Sequence, residues 1–233
     1  MSTLLLQFKA PMQSWGICAK FDNRSTEYVP SKSAVIGMIA GALGRKRNES
    51  VDDLNNLRFG VRVDKEGKVM HDFQTAKNPN KKTSVYGKPG IYRDYLEDAA
   101  FLVGVEGTDA FLQTIEYALK HPVFPIFLGR RSCPPAGQVV LGIKDAALLD
   151  ALKAEPWIAK DKDRGDRVRF VLDAADDEEE SYSLRDKAVS FDQRNRRFAF
   201  RRIRDFLAKP DNSPVNVTDR EPDTDHNAMS ELF

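Results

Sequence analysis

Residues 3–8, TLLLQF, form an apolar run that reads as a buried strand, after which the chain turns through APMQSWG at 10–16. The next periodic segment, VPSKSAVIGMIAGALG at 29–44, predicts a helix. Ser31 or Ser33 caps it, Pro30 stands just before it, and Val35, Ile39, Ala42 and Leu43 make its apolar face. Gly37 and Gly41 lose helix propensity, which points to close packing against a sheet or ligand, and Gly44 ends the helix. RFGVRVD at 58–64 alternates, with Phe59, Val61 and Val63 on one face and Arg58 and Arg62 on the other, as in a half-buried strand. KVMHDFQTA at 68–76 is a further strand, and IYRDYLEDAAFLVGVEG at 91–107 returns as one strand, amphipathic first and apolar later. The segment between them, KNPNKKTSVYGKPG, is polar, basic and rich in turn residues, so 68–106 reads as a long hairpin arm with a basic tip.

Residues 108–121 predict a second amphipathic helix, capped by Thr108, with Phe111, Leu112, Ile115 and Leu119 as its buried stripe. PVFPIFLGRRSCPPAG then leads through a short apolar strand into a glycine-arginine turn, and QVVLGI closes this half as a strand. The order is βαββαβ, which is the ferredoxin-like order within the α+β class. Beyond it, 145–156 predict a short helix and 166–174 an alternating strand. DDEEE at 176–180 is a like-charge run expected to be a solvated loop, and RNRRFAFRRIRDF at 194–206 interleaves arginines with aromatics. From Lys209 onward there are few large apolar residues and no periodicity, which suits a flexible tail. The expected organisation is a core over 1–145, a small β-rich C-terminal part over 146–207 and a tail over 208–233.

Composition narrows the functional classes. With 233 residues, 41% hydrophobic and 30% charged, the chain can bury a sizeable core and carries a generous surface charge. Its formal net charge is +1, unlike a protein that binds nucleic acid over its whole surface. Cys18 and Cys133 sit in no metal-ligand spacing and are expected to be free thiols in a reducing cytoplasm. The longest apolar run, 34–43, contains two glycines and falls well short of the ~20 residues that a membrane span needs. A cytoplasmic protein without a membrane partner follows.

No HxH, HExxH, CxxC, GxSxG or Walker A pattern occurs. His71, His121 and His226 are expected to be structural or solvated, no metal site has support, and no cofactor is implied. One constellation suits metal-free RNA cleavage, which needs a base, an acid and a cation: Lys120 and His121 with Tyr92 or Tyr95. Features for RNA binding are more numerous. PSKS joins a helix N-terminus, two hydroxyls and Lys32 as a phosphate seat. LGRRSCP places Arg130 and Arg131 on a turn. Lys88, Tyr92, Arg93 and Tyr95 lie on the hairpin arm, where a ring or guanidinium plane can stack on a base.

LLLQFKAPMQSWG, PSKSAVIGMIAGALG, YRDYLEDAAFLVGV and FPIFLGRRSCPP, in this order, resemble the CasD-type (Cas-five) subunits of type I-E CRISPR surveillance complexes (Cascade), in the RAMP superfamily. The likeness covers about residues 3–145 and continues more weakly to the arginine-aromatic strand. The resemblance implies a ferredoxin-like, RRM-like core with a β-hairpin thumb, over 66–97 here, and a non-catalytic role in antiviral defence. The implied partners are the 5′ handle of the CRISPR RNA, the Cascade backbone subunit through the thumb, and the Cascade large subunit. Matched to the motifs, the implied RNA-binding residues are Gln13, Ser14, Trp15, Ser31, Lys32, Ser33, Arg93, Gly129, Arg130 and Arg131. A related subtype processes precursor CRISPR RNA with the homologous subunit, so a metal-independent endoribonuclease is the alternative.

Overall fold

The computed structural model describes residues 1–17, 23–74, 91–160, 165–175 and 178–211. Cys18, the hairpin tip with Lys88, the first part of the acidic run and the expected tail from 212 on, with His226, lie outside the described residues. The expected start of the tail is ordered instead: Ala208 ends the last strand, and the Asp211 amide donates to the Lys153 carbonyl. The elements are β1 (Ser2–Lys9), β2 (Met12–Gln13), β3 (Asn23–Arg24), α1 (Lys32–Ala42), α2 (Asp52–Asn55), β4 (Arg58–Lys65) and β5 (Lys68–Gln74). They continue with β6 (Ile91–Glu97), β7 (Ala100–Gly107), α3 (Asp109–Lys120), β8 (Val140–Lys144), α4 (Leu148–Ala154), β9 (Val168–Asp173), β10 (Tyr182–Ser190) and β11 (Arg197–Ala208). The chain is thus mixed α/β and rich in sheet.

A seven-stranded sheet runs β10-β11-β9-β4-β7-β1-β8, with every neighbouring pair antiparallel. The period-two pattern of β1 divides the core. Leu4, Leu6 and Phe8 face one way, with Val35 and Ile39 of α1 and Leu112 and Ile115 of α3. Leu5 faces the other way, with Leu102 of β7, Leu148 and Leu152 of α4, and Phe170 of β9. Three layers result: α1 and α3, the sheet, and α4. A smaller sheet is built around β6, which pairs with β5 along one edge and with β2 and β3 along the other.

Several expectations are corrected. Residues 91–107 are two strands, because the chain breaks after Glu97 and Asp98 takes φ 53°; β6 enters the small sheet and β7 the large one. Residues 122–128 form no strand. Pro122 and Pro125 lack the amide a ladder needs, and Val123 and Phe124 are exposed. Phe111 is only half-buried in the stripe of α3. Gly37 does pack closely, since an added Cβ would meet the Phe191 ring at 3.3 Å, but nothing lies near Gly41.

The alternation of β4 misleads most. Arg62 is fully buried, because α4 covers what would have been the wet face. Its guanidinium binds Asp64 in two places, at 2.6 and 2.8 Å, and donates to the carbonyls of Leu152, Glu155 and Pro156 at the end of α4. A cation at a helix C-terminus meets the negative end of the dipole and satisfies carbonyls that have no partner within the helix. Glu106 does the converse at the start of α4, accepting from the Leu148 amide at 2.7 Å.

Helix α1 starts at Ser31, but neither Ser31 nor Ser33 supplies a side-chain cap. Asp186 of β10 takes the Lys32 amide instead, at 2.8 Å. The Lys32 ammonium binds Asp173 at 2.8 Å and the carbonyls of Asn55 and Leu57. Arg201 of β11 then bridges Asp173 and Asp186. Burial pulls the Lys32 pKa below the ordinary lysine value, and Asp173 opposes the shift. Removing one partner of such a group leaves a charge buried and unpaired. Lys32→Met should therefore lower unfolding free energy by about 3 kcal/mol or more. Urea denaturation measures this, and a change within about 0.5 kcal/mol would show that the network is dispensable.

Candidate RNA-binding surface

The turn after β1 is built from the inside. Gln13 is fully buried, and its amide donates to the carbonyls of Ala99 at 2.8 Å and Phe8 at 3.3 Å. The Ser14 hydroxyl donates to the Asp94 carbonyl at 3.1 Å, and the Ser14 amide donates to the Leu128 carbonyl at 3.1 Å. Trp15 is 1% exposed and stacks on Phe8, with ring centroids 5.5 Å apart. Its backbone is held by Thr26 and Glu27. These three side chains brace the turn and are buried, so they offer no open face to RNA, unlike the direct RNA-binding role that the resemblance implies for them.

The glycine-arginine turn fits onto this frame. Leu128 and Cys133 are buried, and the Leu128 amide donates to the Cys133 carbonyl at 2.8 Å, closing a tight loop. Gly129 has φ +88°, and a Cβ there would stand 1.6 Å from the Ser14 carbonyl oxygen. Both the backbone conformation and the space require glycine. Arg130 follows and donates to the carbonyls of Asp94 at 3.1 Å and Arg24 at 2.6 Å. Its guanidinium lies 4.8 Å from the centre of the Tyr95 ring. Arg131 is exposed.

Tyr95 is 3% exposed, and its hydroxyl sits 3.5 Å from the Ser132 hydroxyl. Burial alone would raise its pKa; hydrogen bonds from Ser132, Arg130 and Arg93 outweigh this and hold the phenol below the ordinary tyrosine value. Arg93, half-buried on β6, therefore reaches the hydroxyl of the tyrosine whose ring Arg130 covers, and its Nε is buried without a partner. Arg24 is exposed beside them on β3, which pairs in parallel with β6. Among the described residues, none of Arg24, Arg93, Arg130 and Arg131 makes an ion pair with a carboxylate. The acceptors of Arg130 are carbonyls, so its charge is held in place without being neutralised. Four guanidinium groups around one glycine turn form an anion-attracting surface.

The structure therefore unites Gln13, Ser14, Trp15, Arg93, Gly129, Arg130 and Arg131. It does not bring Lys32 to this surface: Asp173 takes the ammonium and Asp186 the helix-end amide, so the expected phosphate seat is filled from within. Ser31 and Ser33 are buried beside Lys32, and the Ser31 hydroxyl has no partner. Sequence reasoning missed Arg24 and Thr26, which carry no motif, and Ser132, which lies in the LGRRSCP motif but was not singled out. Nor did it single out Asp173, half-buried, and Asp186, buried, which hold the start of α1.

The sequence profile of the family described as CRISPR-associated protein (Cas_Cas5) matches residues 3–204. The chain belongs to the Cas5 family. It is 29% identical over 163 residues to the CRISPR system Cascade subunit CasD of Escherichia coli (strain K12), covering 63% of this chain and 73% of that protein. A solved structure described as the crystal structure of a Cas protein aligns with TM-score 0.73 and 38% identity, over 91% of this chain and 97% of its own. A chain of a solved CRISPR RNA-guided surveillance complex aligns with TM-score 0.75 and 31% identity, over 89% and 90% respectively. The Cas5 resemblance carried by the four sequence blocks is thus borne out, and the match extends past β8 into β11.

Gly129 gives a test internal to the molecule. Gly137 has the same φ, +88°, but nothing lies near its added Cβ. Gly137→Ala should cost about 1 kcal/mol of backbone strain, and Gly129→Ala about 3 kcal/mol or more, because it also displaces Ser14. Equal losses in thermal unfolding would show that the Gly129–Ser14 approach is not rigid.

Proposed function

We propose that this chain is the subunit of a CRISPR RNA-guided surveillance complex that binds the 5′ handle of the CRISPR RNA and does not cleave it. The observation that carries the reading is the cluster of arginines around the Gly129 turn that, among the described residues, makes no ion pair with a carboxylate. The Cas5 family match and the CasD relative name the setting in which such a surface has a partner. The handle meets Arg131, the free edges of Arg130 and Arg93, and the exposed turn backbone. Gln13, Ser14 and Trp15 act one layer behind, as positioning residues. RNA single strands are held by such combinations of cations, flat groups and backbone donors.

The fold supports the same reading. The inner strand order β4-β7-β1-β8, with α1 and α3 together on one face, supports reading 1–145 as a ferredoxin-like core of the RAMP kind. The β5–β6 hairpin acts as the thumb toward the backbone subunit, and β9–β11 with α4 form the C-terminal part. The Cascade large subunit is the further protein partner. A near-neutral chain suits a subunit with RNA on one face and proteins on others.

The nuclease alternative requires a base, an acid and a cation that converge. The Lys120 ammonium binds Glu116, and the His121 ring lies against Tyr117, while Tyr95 sits beneath Arg130. His71 binds Asp94 at 2.8 Å and is solvent-facing. These placements favour a binding role. Repeat RNA incubated with the pure protein and EDTA should remain intact; discrete products ending in a cyclic phosphate would overturn this part of the proposal.

Arg131→Ala should weaken binding of handle RNA about tenfold and reduce its salt slope by about 0.7, without changing the melting temperature. Arg130→Ala should weaken binding and also lower the melting temperature, because three backbone carbonyls lose their donor. Fluorescence anisotropy and thermal unfolding measure both. Unchanged affinity in both variants would remove the turn from the RNA interface.

A further inference from the structure

The arginine-aromatic segment at 194–200 belongs to neither the handle surface nor the core. It forms the turn of the β10–β11 hairpin and the start of β11, where Ser190 pairs with Arg197. Helix α1 runs alongside this hairpin. Its first amide meets Asp186, its middle meets Phe191 at Gly37, and the loop beyond its end carries Arg47 near enough for its charge to act on Arg196. The far end of α1 lies about 16 Å from Ser31, given ~1.5 Å per helical residue, so this region is separate from the residues at the start of the helix.

The Arg196 guanidinium stacks over Phe198, 5.2 Å from its ring centre, and Phe198 in turn meets Phe191 edge-on at 6.5 Å. The ring is thus fixed to the fold and holds the cation flat at the surface. Phe200, which shares a strand face with Phe198, is 66% exposed. Arg185, exposed on β10, donates to the Phe198 carbonyl, which leaves its charge uncompensated. Arg47 and Arg197 are exposed, and among the described residues neither they nor Arg196 makes an ion pair. Of the carboxylates in these segments, Asp53 pairs with Arg45, while Asp192 accepts the Arg194 amide and keeps its charge, so the arginines outnumber the free anions. Partial burial and the charge of Arg47 push the Arg196 pKa down. Like charges are therefore held together here at a cost.

We infer that Arg47, Arg185, Arg196 and Arg197, with Phe198 and Phe200, form a second nucleic-acid surface that takes a phosphodiester backbone outside the 5′ handle. Several arginines on a rigid aromatic base fit this ligand better than a protein surface. Guanidinium groups match phosphate oxygens in pairs, and an exposed ring next to a flat cation offers a stacking platform for a base. The source of the backbone is either a single strand, such as another part of the guide, or a duplex.

The test uses the full-length chain and the triple variant Arg47→Ala/Arg196→Ala/Arg197→Ala. Anisotropy titrations across a salt series are run with handle RNA, with an unrelated single-stranded RNA and with an unrelated duplex DNA. Affinity for at least one unrelated probe should fall tenfold or more. The slope of log K against log salt should fall by about two on a single strand, at ~0.7 for each phosphate no longer neutralised, and by nearer three on duplex DNA. The probe that responds identifies the source. Handle-RNA affinity should be unchanged. The corresponding triple lysine variant should keep the salt slope, which distinguishes lost charge from altered folding. Wild-type binding of both unrelated probes by the alanine variant would overturn the inference. So would an equal loss of handle affinity, or a lysine variant that fails as the alanine variant does.

Discussion

Two cations and two anions, Lys32, Arg201, Asp173 and Asp186, hold one another where α1 meets the sheet. Each carboxylate is shared: Asp173 receives Lys32, Arg201 and the Phe59 amide, and Asp186 receives Arg201 and the Lys32 amide. The partners come from α1, β4, β9, β10 and β11, so the network joins the two halves of the chain at one point. Burial opposes the Arg201 charge, but its bonds to Asp186 and Asp173 outweigh this and raise its pKa. A network of this kind contributes less to net stability than to geometry, because desolvation offsets much of the attraction. Its geometric effect is to set the start of α1, and with it the path of the loop that returns to Trp15 through Glu27.

The arginine turn obeys the opposite electrostatic rule. Arg130 meets backbone carbonyls and the Tyr95 ring, Arg93 meets the Tyr95 hydroxyl, and among the described residues neither pairs with a carboxylate. Carbonyls fix direction without cancelling charge, so the positive field persists at the surface. The β10–β11 turn uses a phenylalanine ring to the same end. The formal net charge of +1 therefore conceals an uneven distribution: paired charges where α1 meets the sheet, and two surface groups of arginines with no ion pair among the described residues.

Local pattern made much of this chain legible. The runs that form β1, α1, α3, α4, β8 and β9 carry their period in their own residues, and Gly44 and Gly129 mark their turns because positive φ excludes most side chains. The failures share a cause. Arg62 read as wet because the covering helix α4 lies some 90 residues away, and Lys32 read as a free cation because its counter-ion is 141 residues away. The break at Asp98 was hidden because its two strands enter different sheets, and nothing in the alternation separates them.

The sequence by itself determined the longer periodic elements, the family, and the positions of the glycines and arginines on which the surface depends. Those properties rest on local periodicity, backbone sterics and side-chain chemistry, which act within a few residues. Only the tertiary structure decided which charged and polar groups face inward. Whether Gln13, Trp15 and Lys32 meet a ligand or the protein's own interior depends on what packs over them, and their partners Ala99, Phe8 and Asp173 arrive through sheet pairing and burial.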